Sequence, residues 1–468
     1  MHKNSKNIDR RTFIKSAAGA AAAGMVAFPH VVKGQSAGVS PNDKLNIGFV
    51  GVGGRGRSSL IAIGELGHNV IGLCDVDQRQ VERARTRRGG EIFSEVLDDA
   101  VSRGAIWYSD YRKMFEELGD KLDGVVVSTP DHMHFPIALS AVNLGINVYC
   151  EKPLTHTVDE ARRLAAAARK HKVITQMGNQ GHSNNEVRMV KEWIAAGVIG
   201  QVREAYSWTN RPIWPQGLKK PKHDEFIPVV PEELDWELWQ GVAPRREYDP
   251  AYLPFSWRNW WDYGCGAVGD MACHVMDAAY YSLDLGLPES VHALATPVNN
   301  QSAPVASAIT YQFPKRGDFA PITYHWLDGG LLPPAPNGMT QADLLGDDHS
   351  GTLFLGDDGF MITDTYTESV RIYPESRFEE FKRNPPAETI ARVKSSHHGN
   401  WLQAIAEGGQ ACSHWDYASG LTEIGLLGNV AIRANTRIEY DARKMRVTNV
   451  PEANRFLKKE YPKGWILS

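Results

Sequence analysis

Along residues 44–172 the apolar positions alternate between two rhythms. KLNIGFV (44–50) is a short β-rich run that ends in glycines, and RSSLIAIGELG then repeats its apolar residues at helical spacing. HNVIGLCDVD, DGVVVSTP and INVYCEKP are further short apolar runs bounded by turn residues. DHMHFPIALSAVNLG and TVDEARRLAAAARKHK carry the helical period between and after them. This alternation predicts parallel βαβ units and a doubly wound sheet. Beyond Lys172 the texture changes. VITQMGNQ reads as a strand and NNEVRMVKEWIAAGVIG as a helix. Residues 209–262 are rich in Pro and Trp and read as a long, irregular functional loop system. SAITYQFP, APITYHWLD, GTLFLGDDGFMITD and SVRIY are strands in succession, which favours an antiparallel or mixed sheet. GNWLQAIAEGG and GLTEIGLLGNVAIRAN are late helices.

Between the first strand and the first helix lies Gly51-Val52-Gly53-Gly54-Arg55-Gly56, a GxGxxG. Glycines there let the backbone turn tightly and approach a pyrophosphate at a helix N-terminus. Asp75 follows Gly56 by nineteen residues, at the end of the second strand, where an acid accepts from adenosine ribose hydroxyls. The pattern predicts a bound dinucleotide. Asp75 favours NAD over NADP, because its charge repels a 2′-phosphate; Arg55 and Arg79 leave NADP open. STPDHMH closes the next strand and brings Thr129, Pro130, His132 and His134 to the crevice end of the sheet. No third metal ligand lies at suitable spacing from this His pair, so it is expected beside the cofactor and no metal is expected. Glu151-Lys152-Pro153 ends the fifth strand. A lysine beside a nicotinamide meets positive charge and partial burial, and both suit it to acid–base work at a carbinol oxygen. The plainer alternative is a surface lysine in a turn.

GDMACHVMD (269–277) places Asp270, His274 and Asp277 at spacings of four and three, on one face if the segment is helical. One reading makes Asp270 an N-cap, with His274 and Asp277 a hydrogen-bonded pair in a core. The other makes Asp270 and His274 part of a proton-handling site.

Composition narrows the classes. The 468 residues are 42% hydrophobic and 23% charged, with a net charge of −4, which argues against a nucleic-acid surface or a strong pull toward anionic membranes. Thirteen Trp is a high count. The five cysteines include no CxxC pair and read as reduced, buried side chains. The N-terminus carries Arg10-Arg11-Thr12-Phe13-Ile14-Lys15 and then an Ala/Gly-rich segment too short for a comfortable membrane span. It resembles a twin-arginine export signal, with no Cys near a cleavage site to anchor a lipid. The expectation is a folded protein delivered by the twin-arginine machinery to the periplasm, without a stable membrane anchor.

Taken in order, GVGGRG, LCDVD, STPDHMH, EKPLTHTVDEA and GDMACHVMD resemble the glucose-fructose oxidoreductase/inositol dehydrogenase (Gfo/Idh/MocA) family. The resemblance implies a Rossmann domain at 44–170 and an α/β substrate domain with an open mixed or antiparallel sheet at 171–445. Residues 1–37 would be signal and linker, and 446–468 a C-terminal tail. It implies a subunit contact on one sheet face, hence a homo-oligomer. It also implies that Lys152, Asp270 and His274 form the catalytic set. His274 would exchange the hydroxyl proton, Asp270 would orient substrate or imidazole, and Asp277 would support them. Trp208, Trp214, Trp257, Trp260 and Trp261 would either stack on sugar faces or pack; Arg211, Arg258 and Asn259 would bond hydroxyls. Gly178–His182 borders the pocket, with Asn179 toward substrate.

The leading expectation is an exported NAD(P)-dependent oxidoreductase acting on a secondary hydroxyl or ketone of a sugar or polyol. Outside the cytoplasm no nicotinamide pool exists, so the cofactor must be tightly held and regenerated in place. Two alternatives stand beside it. One is redox-assisted glycoside cleavage, in which transient C3 oxidation drives elimination; that branch of the family commonly lacks the lysine that this sequence has at 152. The other is a non-catalytic sugar-binding protein with an idle dinucleotide.

Overall fold

The computed structural model describes residues 43–219, 228–344 and 349–465. Arg10, Arg11 and the whole 1–37 segment lie outside them.

Strands β1 (Asn46–Val50), β2 (Asn69–Cys74), β3 (Ile106–Tyr108), β4 (Gly124–Val127), β5 (Asn147–Cys150) and β6 (Thr175–Met177) make one parallel sheet in the order β3-β2-β1-β4-β5-β6. The order reverses between β1 and β4, so the C-terminal ends of those strands open a crevice. Helices α1 (Gly56–Glu65), α2 (Gln78–Thr86), α3 (Gly90–Ser102), α4 (Tyr111–Leu118), α5 (Asp131–Asn143) and α6 (Val158–His171) connect the strands. β4 is buried along its whole length, as a strand covered on both faces must be. α6 starts where Thr157 and Glu160 form a reciprocal capping box, and it ends on Arg169, Lys170 and His171, which suit the negative end of the helix dipole. The strand in VITQMGNQ is β6 and pairs with β5, so the first sheet runs past residue 170.

After α7 (Asn185–Ala195), a nine-stranded mixed sheet contains β7 (Val202–Trp208), β8 (Ser290–Ala295), β9 (Ser307–Phe313), β10 (Ile322–Leu327), β11 (Gly351–Gly356), β12 (Gly359–Asp364), β13 (Val370–Tyr373), β14 (Ile438–Asp441) and β15 (Arg446–Val447). β7 and β10 run parallel, and the other pairings are antiparallel. Burial alternates along β9 and β10, as period-2 patterning requires when one face is covered. Short helix α8 (Trp236–Gln240) lies in the Trp-rich segment. Helices α9 (Gly266–Val275), α10 (Asp277–Ser282), α11 (Glu375–Arg383), α12 (His397–Glu407) and α13 (Trp415–Ala434) follow. The hydroxyls of Ser207 and Thr352 both donate to the Val275 carbonyl, which ties α9 to the covered face of the sheet.

Two features depart from the sequence reading. First, the described parts of 209–262 (209–219 and 228–262) are mostly irregular in backbone, as expected, but they are packed rather than loose. Trp236, Trp239, Tyr248, Tyr252, Trp257, Trp260 and Tyr263 form a buried aromatic cluster of their own. The segment is also stitched to the loop after β2, by Gln78 N–H to the Glu233 carbonyl (3.1 Å) and Asp235 N–H to the Val76 carbonyl (2.9 Å). Second, α12 returns to the first domain. Trp401 is buried with Ile47, Phe49, Val126 and Tyr149, and the His398 ring contacts the Ser59 hydroxyl at 3.0 Å. A Cβ on Gly124 would lie 2.8 Å from the Trp401 ring, so glycine there makes room for the indole.

Candidate active site

The glycine loop has the shape a dinucleotide needs. Gly51 has φ +85°, and a Cβ on it would lie 2.5 Å from the Ser128 carbonyl. A Cβ on Gly56 would lie 1.8 Å from the Gly51 carbonyl, so only glycine lets α1 start this close to the loop. The N-cap of α1, Arg55, makes no side-chain capping bond, which leaves first-turn N–H groups for an external anion. Asp75 braces the loop: its carboxylate accepts from Val52 N–H (2.8 Å), Gly53 N–H (3.2 Å) and Asp77 N–H (3.0 Å). A carboxylate offers about four acceptor sites, so capacity remains for a ribose hydroxyl. Both arginines that left NADP open are engaged. Arg79 grips Asp77 with two bonds of 2.7 and 2.8 Å, and Arg55 pairs with Glu151 at 3.2 Å.

His132 and His134, expected to position other groups near the cofactor, hold backbone together. The His132 ring nitrogens contact the carbonyls of Tyr263 (3.2 Å) and Trp239 (3.0 Å). Those of His134 contact the carbonyls of Pro153 (2.8 Å) and Thr129 (2.9 Å). Their ring polarity is spent on anchoring the Trp-rich segment and the turn after Lys152. Among the described residues, no group of three His, Cys, Asp or Glu side chains is placed to hold a metal ion, and no helix is long and apolar enough to cross a membrane.

Lys152 and Asp270 meet across the two domains. The Lys152 ammonium donates to the Asp270 carboxylate at 2.9 Å and also to its backbone carbonyl. Arg258 Nε reaches the same carboxylate at 3.1 Å, and Arg211 Nε lies 3.8 Å from it. Burial alone would push the Asp270 carboxyl up, but Lys152 and Arg258 together hold it below the usual carboxylate range. The Arg258 guanidinium lies 4.2 Å from the Trp257 ring and 4.4 Å from that of Phe255, contacts that add to its bond with Asp270 in holding its direction. His274 is buried, and burial followed by the Lys152 charge pushes its imidazole well below the usual range. It is therefore neutral at pH 7. Its Nδ1 has no hydrogen-bond partner among the described residues, and its ring stands edge-on to Tyr366 at 5.1 Å.

Helix α9 begins at Gly266 with Cys265 as N-cap, so Asp270 sits in the second turn and is not itself the cap. Asp270 and His274 share a face one turn apart. Asp277 does not: α9 ends before it, and it opens α10. Its carboxylate turns instead to Asn179 (3.3 Å), His182 (2.9 Å) and the Tyr417 hydroxyl (2.5 Å). Asn179, expected toward substrate, is fully buried in this network and accepts from the Ser413 hydroxyl at 2.6 Å. Trp208 is likewise buried, packed with Tyr206, Leu344 and Leu353. The Trp260 and Trp261 indoles are buried, with N–H bonds to Ala251 and Asn299 carbonyls, so packing accounts for both. Asn259 is fully buried, and its amide has no partner among the described residues. Tyr366 and Tyr417 follow no periodic pattern or motif, so the sequence carries no signal for either; Arg211 stood only among hydroxyl-binding candidates.

Residues 45–179 match the family model described as "Oxidoreductase family, NAD-binding Rossmann fold", and residues 183–317 match its C-terminal alpha/beta domain. The chain belongs to the Gfo/Idh/MocA oxidoreductase family. One relative, an "Alpha-N-acetylgalactosaminidase" of Shewanella oneidensis, is 28% identical over 216 residues, 42% of this chain. A "Glycosyl hydrolase family 109 protein 1" of Shewanella sp. (strain MR-4) matches to the same extent, and the chain covers 44% of the length of either relative. Among solved folds, the aldose-aldose oxidoreductase of Caulobacter crescentus superposes with a TM-score of 0.53 at 16% identity, covering 85% of this chain and 99% of that one. This family member thus shares the fold of such enzymes while differing from them at most positions.

Proposed function

We propose that this protein moves hydride between a resident NAD and a secondary hydroxyl or ketone of a sugar or polyol. The convergence of Lys152, Asp270 and His274 at the domain junction carries this reading. Gly51–Gly56 and Asp75 would hold the dinucleotide, whose nicotinamide supplies the hydride acceptor. The chain supplies the proton chemistry. Lys152 has three N–H donors and spends two on Asp270, which leaves one for the substrate oxygen. Asp270, kept anionic, fixes the direction of that ammonium. His274, kept neutral, offers a ring nitrogen to the hydroxyl proton. Arg258 is held rigidly enough to bond a neighbouring hydroxyl.

The glycosyl hydrolase family 109 relatives favour a second reading, redox-assisted glycoside cleavage on the same groups. A screen of free sugars and aryl glycosides, following nicotinamide absorbance and released aglycone together, separates the two. Absorbance change with free sugars supports the oxidoreductase. Aglycone release without net absorbance change supports cleavage. Neither signal with any substrate returns the protein to an idle, sugar-binding role.

We further propose export through the twin-arginine route, on the Arg10–Lys15 pattern. The double substitution Arg10→Lys, Arg11→Lys is expected to leave the protein in the cytoplasm with its N-terminal segment uncut. Wild-type protein recovered from the periplasm without added nucleotide is expected to release about one dinucleotide per chain on denaturation. Mass spectrometry should find mostly NAD, since Arg55 and Arg79 are both paired. Empty protein would mean that the cofactor is not retained, and normal export of the double variant would remove the signal assignment.

A further inference from the structure

Among the described residues, the His274 ring makes no hydrogen bond and a single ring contact, with Tyr366. A histidine base ordinarily takes its orientation from a bond on its second nitrogen. Here none is present, so packing must set the angle of the ring. Tyr366 comes from outside the stretches that match the family models, in the turn between β12 and β13. That turn is firmly held. The Asp364 carboxylate accepts from the N–H groups of Tyr366 (3.1 Å), Glu368 (2.8 Å) and Ser369 (2.8 Å). Thr365 and Thr367 are buried on either side of Tyr366. Thr367 has φ +56°, a left-handed conformation that a β-branched residue adopts only where its surroundings impose it. The Asn184 amide donates to the Tyr366 carbonyl at 2.9 Å, and a Cβ on Gly181 would lie 2.8 Å from that same oxygen. The tip of the turn is thus docked on the segment that follows β6.

Tyr366 is 37% exposed, while the His274 ring it meets edge-on belongs to a residue only 7% exposed. The phenol is also within electrostatic reach of Arg55 in the glycine loop. One side of Tyr366 therefore faces water and another lies against the buried imidazole. The charged and titratable groups that act on His274 are Lys152 from the end of β5, Asp270 on its own helix, Arg55 from the glycine loop and His397 from α12. None of them bonds to it. Burial is the leading cause of the lowered imidazole, and Tyr366 is a solvent-exposed side chain in direct contact with it.

We propose that Tyr366 is a positioning residue, whose ring sets the angle of the His274 imidazole and shields it from water. This rests on His274 being the base of the proposed function. NMR titration of the full-length protein, isotope-labelled at histidine, tests it without any substrate; His274 is identified by the signal lost in His274→Ala. In the wild type, His274 should stay neutral down to about pH 5.5. In Tyr366→Ala, water reaches the ring, and it should protonate between about pH 6.5 and 5.5. Tyr366→Phe keeps the ring contact and should behave as the wild type. Gly181→Ala presses on the Tyr366 carbonyl and should displace the same ring, so it takes the place of Tyr366→Ala if that variant does not fold. No protonation of His274 in that interval in the folded variant overturns the proposal, and so does Tyr366→Phe titrating like Tyr366→Ala. On a substrate that the wild type turns over, Tyr366→Ala should also lower kcat by about tenfold or more, with Tyr366→Phe near normal. Near-normal turnover in His274→Ala removes the base and with it the proposed function, while the titration still decides whether Tyr366 shields the ring.

Discussion

Lys152→Met is expected to lower turnover by roughly two to four orders of magnitude while the protein still binds NAD, and His274→Ala is expected to do the same. The two side chains act on one proton but from opposite charge states. Lys152 is a cation anchored on Asp270, and His274 is a neutral ring in its field. That field gives the test a second readout. Lys152 pushes the His274 imidazole down, so its removal should move the acidic limb of the kcat–pH profile toward higher pH. A purely structural role for Lys152 would lower thermal stability and leave the profile in place. Near-normal turnover in either variant, on a substrate the wild-type enzyme accepts, would remove that residue from the catalytic set.

The second large effect is acid instability. Burial holds eight of the described histidines below their usual range, His132 among them at about 3. His397 is pushed down to about 3 and His398 to about 4, while His156 and His274 are pushed down well below the ordinary value. For His397 burial outweighs local bonding: the Met177 carbonyl, 2.7 Å from Nε2, favours the protonated ring and offsets only part of the shift. Local bonding agrees with burial for His156, since its Nδ1 accepts from the Lys459 ammonium at 3.1 Å and cannot hold a proton while it does. Above pH 6.5 these rings are neutral in both folded and unfolded chains, so the fold bears no penalty. Below it, the unfolded chain takes up protons that the folded chain refuses, and stability falls. At pH 5, His397 and His398 each remove about 2 kcal/mol, a large share of a typical folding free energy of about 5–15 kcal/mol. Asp328, pushed up to about 6 by burial, works in the other direction and returns part of the loss. Calorimetry should show Tm falling steeply between pH 6.5 and 5. A flat Tm over that interval would mean that these rings are not buried neutral.

Much of this architecture was legible because it follows local rules. The GxGxxG loop, the capping box of α6 and the strand ends at Asp75 and Lys152 each announce themselves within a few residues. The Lys152–Asp270 contact was legible only through the resemblance, since no periodicity links positions 118 apart. Asp277 misled because spacing assumes an unbroken helix, and the break at Met276 sends its carboxylate to Tyr417 instead. The tryptophans stayed open in the sequence. An indole that stacks on a ligand and one that packs in a core read alike there, and in the structure Trp208, Trp260 and Trp261 pack. His132 and His134 sit at the crevice end of β4 as expected, but their ring nitrogens were already claimed by carbonyls from distant segments.

The return of α12 to the first sheet has a consequence for synthesis on the ribosome. Ile47, Phe49 and Tyr149 are among the earlier residues to emerge, yet the indole that seals them is at position 401. Until it arrives, the nucleotide-binding half presents a greasy window to the surrounding medium. Nascent-chain order therefore makes that half depend on the last quarter of the polypeptide. A fragment cut between the two sheets is an unsealed shell, and a holdase able to shield that window has a reason to wait for the chain's end.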